Sequence, residues 1–317
     1  MVITEFGKRC ITGLLLIVAF SAILLLRAFT GVFGVYIFDA LILVAAGIGT
    51  WEICNACKLN RRGANALVVM IVEALVYFFF IIGNEILKEI LPWWLQIITA
   101  LIIVAIFVLF VGLSNMLDKK MAKECFLQKK NLNKEAWGGA LDLLTMLFYP
   151  GVFFACAVVL NHMTTDDVGL FGILLVVFIS CLTDILAYCV GRVLGKGSPK
   201  MAPKVSPKKT WVGFFGGLFG GILGALIVVW IISGNEALSD RLFNITLDAN
   251  VTQLIFMAVG LAGAVFTTFG DLLASFIKRK VGIKDFGHLL PGHGGVMDRV
   301  DGIILNVPFI LLIMGII

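Results

Sequence analysis

Apolar residues in this chain recur in long unbroken runs, not in the alternation of a half-buried strand or the narrow stripe of a surface helix. The runs fall near residues 10–29, 32–51, 65–83, 93–114, 139–160, 168–190, 211–233, 253–277 and 297–317. Each is about 18–25 residues long, enough for a helix rising about 1.5 Å per residue to cross a ~30 Å hydrocarbon core. The pattern predicts an all-α polytopic membrane protein with about nine transmembrane helices. The first run follows Lys8 and Arg9 as a signal peptide's would. It is too long for one and no small-residue cleavage site follows it, so it is expected to stay as a first helix.

Composition agrees. The 317 residues are 60% hydrophobic and 14% charged, where soluble domains carry roughly a quarter of charged residues. Charge then sets the orientation. Of the 25 Lys and Arg residues, only Arg27, Lys88 and Arg241 fall on one side of the expected membrane. The positive-inside rule puts the other side in the cytoplasm, with the N-terminus cytoplasmic and the C-terminus outside. The net charge of +5 is therefore an orientation signal, and no nucleic-acid partner is implied.

The character of the chain changes near residue 136, giving an N-terminal region 1–135 with helices 1–4 and a basic cytoplasmic loop, and a C-terminal region 136–317 with helices 5–9. The loop "NMLDKKMAKECFLQKKNLNKEAW" mixes lysines with Met, Leu, Phe and Trp. It reads either as an interfacial helix on anionic lipids or as a solvated basic loop. The seven cysteines lie in spans or toward the cytoplasm, so a disulfide framework is not expected. Cys54 and Cys57 lack the further ligands a zinc site needs. Two sequons, at Asn244 and Asn250, fall in an outer loop. The run "GFFGGLFGGILG" holds overlapping G-x-x-x-G pairs, which let helix backbones approach closely. Packing within the chain is the first expectation for 211–233, and a homodimer face the second.

Ionisable groups inside spans are costly and mark function by default. Asp184, Asp271, Asp298 and Asp301 stand out, while Asp39, Glu73 and Asp142 lack a surrounding motif. Asp271, Ser275 and Lys278 are spaced i, i+4, i+7, so one helix face presents a carboxylate, a hydroxyl and an ammonium. In "PGHGGVMDRVDG" (residues 291–302), Pro and Gly make a turn whose amides can approach an oxyanion. Asp298 and Asp301 follow in the first turns of the last helix, where its dipole favours carboxylates. With Asp271 they form a candidate Mg²⁺ site, since Mg²⁺ takes one or two carboxylates and leaves room for water and phosphate. Arg299 and His293 are candidate phosphate contacts. A third segment, 184–213, carries Asp184, Arg192, Lys196, Lys200, Lys204, Lys208 and Lys209 among Gly and Pro. Its lysines serve topology, and its rigid "SPKKT" turn suits a polyphosphate. No P-loop is present.

The pattern Ser275-x-x-Lys278-Arg279-x₄-Lys284-Asp285-x-Gly287-x-x-Leu290-Pro291-x-His293-Gly294-Gly295-x-x-Asp298-Arg299-x-Asp301 resembles the signature of the phosphatidate cytidylyltransferase (CDP-diacylglycerol synthase) family. "DILAYCVGRVLGK" and "SPKKTWVGFFGG" resemble two further stretches of that family, so the likeness is strong over roughly 180–302. One departure is Val212, where the family usually carries Glu. The resemblance implies the reaction CTP + phosphatidate → CDP-diacylglycerol + pyrophosphate at the cytoplasmic face of a membrane, most simply a bacterial plasma membrane. It also implies Mg²⁺ on Asp271, Asp298 and Asp301, with K⁺ as a second cation. Ser275, Lys278, Lys208, Lys209, Arg192, Lys284, His293 and Arg299 would hold phosphates. CTP, phosphatidate and anionic membrane lipids are the expected partners. The rival within enzymes is a CTP-dependent transferase or kinase for another membrane lipid. The rival of another class is an ion-coupled transporter, which the cytoplasmic placement of the acidic groups disfavours.

Overall fold

The computed structural model describes residues 5–56, 147–163, 166–233, 249–290 and 294–316. The chain divides into two compact units, Met1–Ile42 with Cys156–Ile317, and Leu43–Ala155. The regional boundary expected at 135/136 lies outside the described residues, as do the spans expected at 65–83 and 93–114.

The described helices are α1 (Glu5–Phe29), α2 (Val32–Ala56), α3 (Val152–Asn161), α4 (Asp166–Val193), α5 (Trp211–Ser233), α6 (Ala249–Val281) and α7 (Met297–Ile316). Each coincides with one of the apolar runs. Stretches in α2, α4, α5 and α6 are long and apolar enough to cross a membrane, and the chain is a membrane protein. One departure from the all-α expectation is an antiparallel hairpin, β1 (Lys200–Ala202) with β2 (Ser206–Thr210). Its three prolines, Pro199, Pro203 and Pro207, exclude helix there. A two-stranded ribbon is all edge, so a proline can turn its donor-less nitrogen outward.

Local chemistry sets the helix ends. Thr210 caps α5, its hydroxyl accepting from the Gly213 amide at 3.1 Å, which satisfies one orphan donor of the first turn. The last turn of α6 closes on Gly282 at φ +80°. The Gly282 amide donates to Arg279 O at 3.2 Å and the Ile283 amide to Lys278 O at 2.9 Å, the paired bonds of a Schellman stop.

In the first unit the glycines of α5 are consumed by close packing within the chain. A Cβ on Gly220 would lie 2.3 Å from Leu182 O, and one on Gly224 2.6 Å from Phe178 O, both on α4. Gly221 and Gly260 face each other across α5 and α6, each ideal Cβ falling within 2.5 Å of the other's carbonyl oxygen. Backbone therefore rests on backbone, which is how helices gain contact where no hydrophobic drive separates lipid from protein. The opposite face of α5 presents Phe215, Phe219 and Trp230 outward.

Two buried polar links tie the helices of this unit. Ser180 on α4 meets Thr267 on α6 at 3.0 Å, and Asn306 on α7 donates to Ser180 at 3.0 Å. At the other end of α4 from the hairpin, Arg27 donates to the Asn161 side chain at 2.9 Å. Asn161 donates to Asp39 at 2.8 Å, and Asp39 pairs with His162 at 2.6 Å. Asp39 is thus a structural hydrogen-bonding group.

Candidate active site

The hairpin, the C-terminal halves of α4 and α6 and the first turn of α5 enclose a cavity of about 390 Å³. From α4 come Asp184, Tyr188 and Arg192. From α6 come Thr268 and Asp271, and from β2 Lys208 and Lys209. The i, i+4, i+8 spacing of the α4 residues puts them on one stripe, running from helix interior to helix end. Gly191 and Gly213 also line this cavity. A Cβ on Gly213 would come 2.9 Å from Ala187 O, so the absence of a side chain lets α5 meet α4 at the cavity wall.

Charge is arranged in two clusters. Lys209 reaches across the cavity to Asp271, Nζ to Oδ2 at 2.5 Å. The other oxygen of Asp271 accepts from the Ser275 hydroxyl at 3.4 Å, as their i, i+4 spacing predicts. Lys278 turns away from them. Its ammonium donates to Asp298 at 3.0 Å and to Asp301 at 3.2 Å and lies 5.2 Å above the centre of the Phe286 ring.

Asp298 is the most heavily engaged of the four carboxylates. Its Oδ2 accepts backbone amides from Phe286 at 2.9 Å, Gly295 at 3.0 Å and Gly287 at 3.4 Å. Oδ1 takes Lys278. A buried carboxylate with this many donors is well satisfied, and it pins the loop between α6 and α7 to both helices. Gly294, at φ +83°, brings the backbone to within contact of the same carboxylate, an ideal Cβ there falling 3.0 Å from Oδ2.

Asp184 on α4 and Asp301 on α7 are the remaining two carboxylates. A Cβ on Gly302 would lie 3.5 Å from Asp184 Oδ2. Asp184 interacts electrostatically with Asp271, Lys209 and Arg299, and Asp301 with Asp271 and Asp184. Among the described residues no three Asp, Glu, His or Cys side chains are grouped so as to hold one metal ion as placed. Arg299 and Lys284 are exposed. His293 lies outside the described residues. Tyr188 and Phe286 were not singled out in the sequence. For Tyr188 the signal was there, since it sits four residues from both Asp184 and Arg192. For Phe286 there was none, because its contact with Lys278 crosses between two segments.

A family model described as "Cytidylyltransferase family" matches residues 7–317. The chain belongs to the cytidylyltransferase family. Among curated relatives, a phosphatidate cytidylyltransferase of Haemophilus influenzae is 30% identical over 241 residues, covering 67% of this chain and 77% of that protein. Shorter matches carry the same name. One from Helicobacter pylori is 58% identical over 43 residues, 14% of this chain and 16% of its own. One from Thermotoga maritima is 42% identical over 66 residues, 20% of this chain and 24% of its own. This cytidylyltransferase is accordingly an enzyme that transfers a nucleotidyl group.

Proposed function

We propose that the chain transfers the cytidylyl group of CTP to phosphatidate, forming CDP-diacylglycerol and releasing pyrophosphate. The observation that carries this reading is the cavity that Lys208 and Lys209 line together with the carboxylates of Asp184 and Asp271. Cations there neutralise phosphate oxygens, and the carboxylates offer hard oxygen donors to a divalent ion. An oxygen of the lipid phosphate attacks the α-phosphorus, a new P–O bond forms, and the bond to the β-phosphate oxygen breaks as pyrophosphate leaves. Such chemistry depends mainly on positioning and charge neutralisation.

The donor set fits Mg²⁺, which needs only one or two carboxylates beside substrate phosphates. Asp271 and Asp184 line the cavity and are the first candidates to hold it, with Asp301 next to them. When bound, Mg²⁺ would neutralise charge developing on the phosphate oxygens. Asp298, buried and bound by three backbone amides of the loop and its end, serves in this reading to hold the loop in place. K⁺ as a second cation rests on the family resemblance alone. Lys208, Lys209 and Ser275 are assigned to phosphate contacts, and Lys278 to holding Asp298 and Asp301 together. The one-sided distribution of Lys and Arg supports a cytoplasmic active site, and a bacterial plasma membrane is the setting that the family resemblance implies.

The test is transfer of label from [α-³²P]CTP to phosphatidate by purified protein, with and without Mg²⁺. Isoprenoid and ether-lipid acceptors are run beside it. Label appearing only in one of those acceptors would replace phosphatidate as substrate, and no labelled lipid at all would sink the reading.

A further inference from the structure

We propose that Tyr188 and Arg192 form the base-recognition end of the nucleotide site, and that Arg192 selects cytosine over uracil. The inference rests on the cytidylyl-transfer reading and deepens it. Asp184, Tyr188 and Arg192 share one stripe of α4, and eight residues of helix separate the first from the last by about 12 Å. Asp184 stands beside Asp271 and Lys209, where the reacting phosphate belongs. Arg192 therefore addresses the far end of a bound nucleotide.

The chemistry at that end suits a base better than a phosphate. Arg192 donates to the Tyr188 hydroxyl at 2.8 Å, with its guanidinium carbon 5.8 Å from the ring centre. Its partner is a neutral oxygen, and among the described residues no carboxylate pairs with it. One N–H is spent on Tyr188, and the rest of the fork is unspent. Tyr188 is 63% exposed, so an aromatic face is open to a stacking ring, the usual platform for an unpaired base. Met201 and Phe214 line the same cavity and give the ring apolar company.

A guanidinium presents two parallel donors. Cytosine offers two adjacent acceptors, O2 and N3. Uracil carries N–H at position 3, so the same fork meets a donor there and one hydrogen bond becomes a repulsion. Sites built on such a contact discriminate strongly, because a mismatched partner leaves polar groups unpaired. The Tyr188 hydroxyl fixes the fork and can donate its own proton onward to the base or ribose.

The experiment uses the full chain in phosphatidate-containing nanodiscs. Binding of radiolabelled CTP is measured in competition with UTP and, separately, with pyrophosphate. The kcat/KM for CTP is measured alongside. Wild type is expected to bind CTP in clear preference to UTP. Arg192→Met should cut that preference by about 100-fold, chiefly by weakening CTP, and leave pyrophosphate competition unchanged. Tyr188→Phe, which keeps the ring, should lose part of the preference, and Tyr188→Ala more. Both side chains are exposed at the helix end, so these variants are expected to fold. Two results overturn the proposal. One is an Arg192→Met protein with the wild-type CTP-to-UTP ratio. The other is a parallel loss of pyrophosphate affinity, which would make Arg192 a phosphate ligand. If wild type transfers no cytidylyl group to any lipid, the reaction reading fails, and the binding ratios still decide the role of Arg192.

Discussion

Lys278→Met isolates a buried charge cluster between α6 and α7. The side chain of Lys278 is 10% exposed, and those of its partners Asp298 and Asp301 are 3% and 14%. Solvent screens such groups weakly, so the substitution leaves two carboxylates without their shared cation. Breaking a buried pair costs about 3–5 kcal/mol. Asp298 keeps three backbone donors and Asp301 keeps the Gly302 amide at 2.9 Å, so the lower end applies, about 3 kcal/mol. At about 2–4 °C per kcal/mol for a chain approaching this size, the melting temperature should fall by roughly 6–12 °C. Thermal unfolding in detergent, followed by tryptophan fluorescence, reads it. Adding Asp298→Asn removes one of the stranded charges and should recover part of the loss, a non-additivity expected of touching groups. A Lys278→Met protein that melts with wild type, or a double variant that falls by the sum of the singles, would refute the ion cluster as a source of stability.

Three further outcomes follow from the geometry. Asp271→Asn should lower kcat/KM for CTP by about 10²–10³-fold, measured as labelled lipid. Its melting temperature should barely move, because its half-exposed pair with Lys209 contributes little to folding. Gly221→Ala drives a methyl group to 2.4 Å from Gly260 O and should destabilise by about 1–3 kcal/mol or more. Gly260→Ala at the same crossing should add less than its own cost, read by thermal unfolding. Gly294→Ala forces a side chain into φ +83° at a cost of about 1–3 kcal/mol, and should speed protease cleavage between α6 and α7.

The helices were legible because hydrophobic runs of membrane length carry their own signal. α5 starts and ends at the residues the apolar run marks, Trp211 and Ser233. The use of its glycines was legible in kind, since small residues at four-residue spacing require a backbone neighbour. Which neighbour was not legible, because α4 and α6 offer equivalent faces until the fold is known. The hairpin was missed for a related reason. Proline and lysine at 199–209 excluded helix, yet ribbon pairing depends on Lys200 meeting Thr210 across the turn. At the site, the Asp271–Ser275 contact followed from helix periodicity. The partners of Lys278 did not. Helical spacing placed it on the face of Asp271, and its long side chain turns instead to α7, drawn by two carboxylates that only the tertiary fold brings near.

The pairing of carboxylates with lysines has a consequence for how the chain enters a membrane. A lone aspartate is costly to place within a helix in hydrocarbon. Here Asp271 is offset by a lysine on a hairpin made before it, and Asp298 and Asp301 by a lysine on the preceding helix. The carboxylates of α6 and α7 are thus matched by counter-ions that have already been synthesised. These last two helices can settle in chain order, each bringing carboxylates to a lysine already in place.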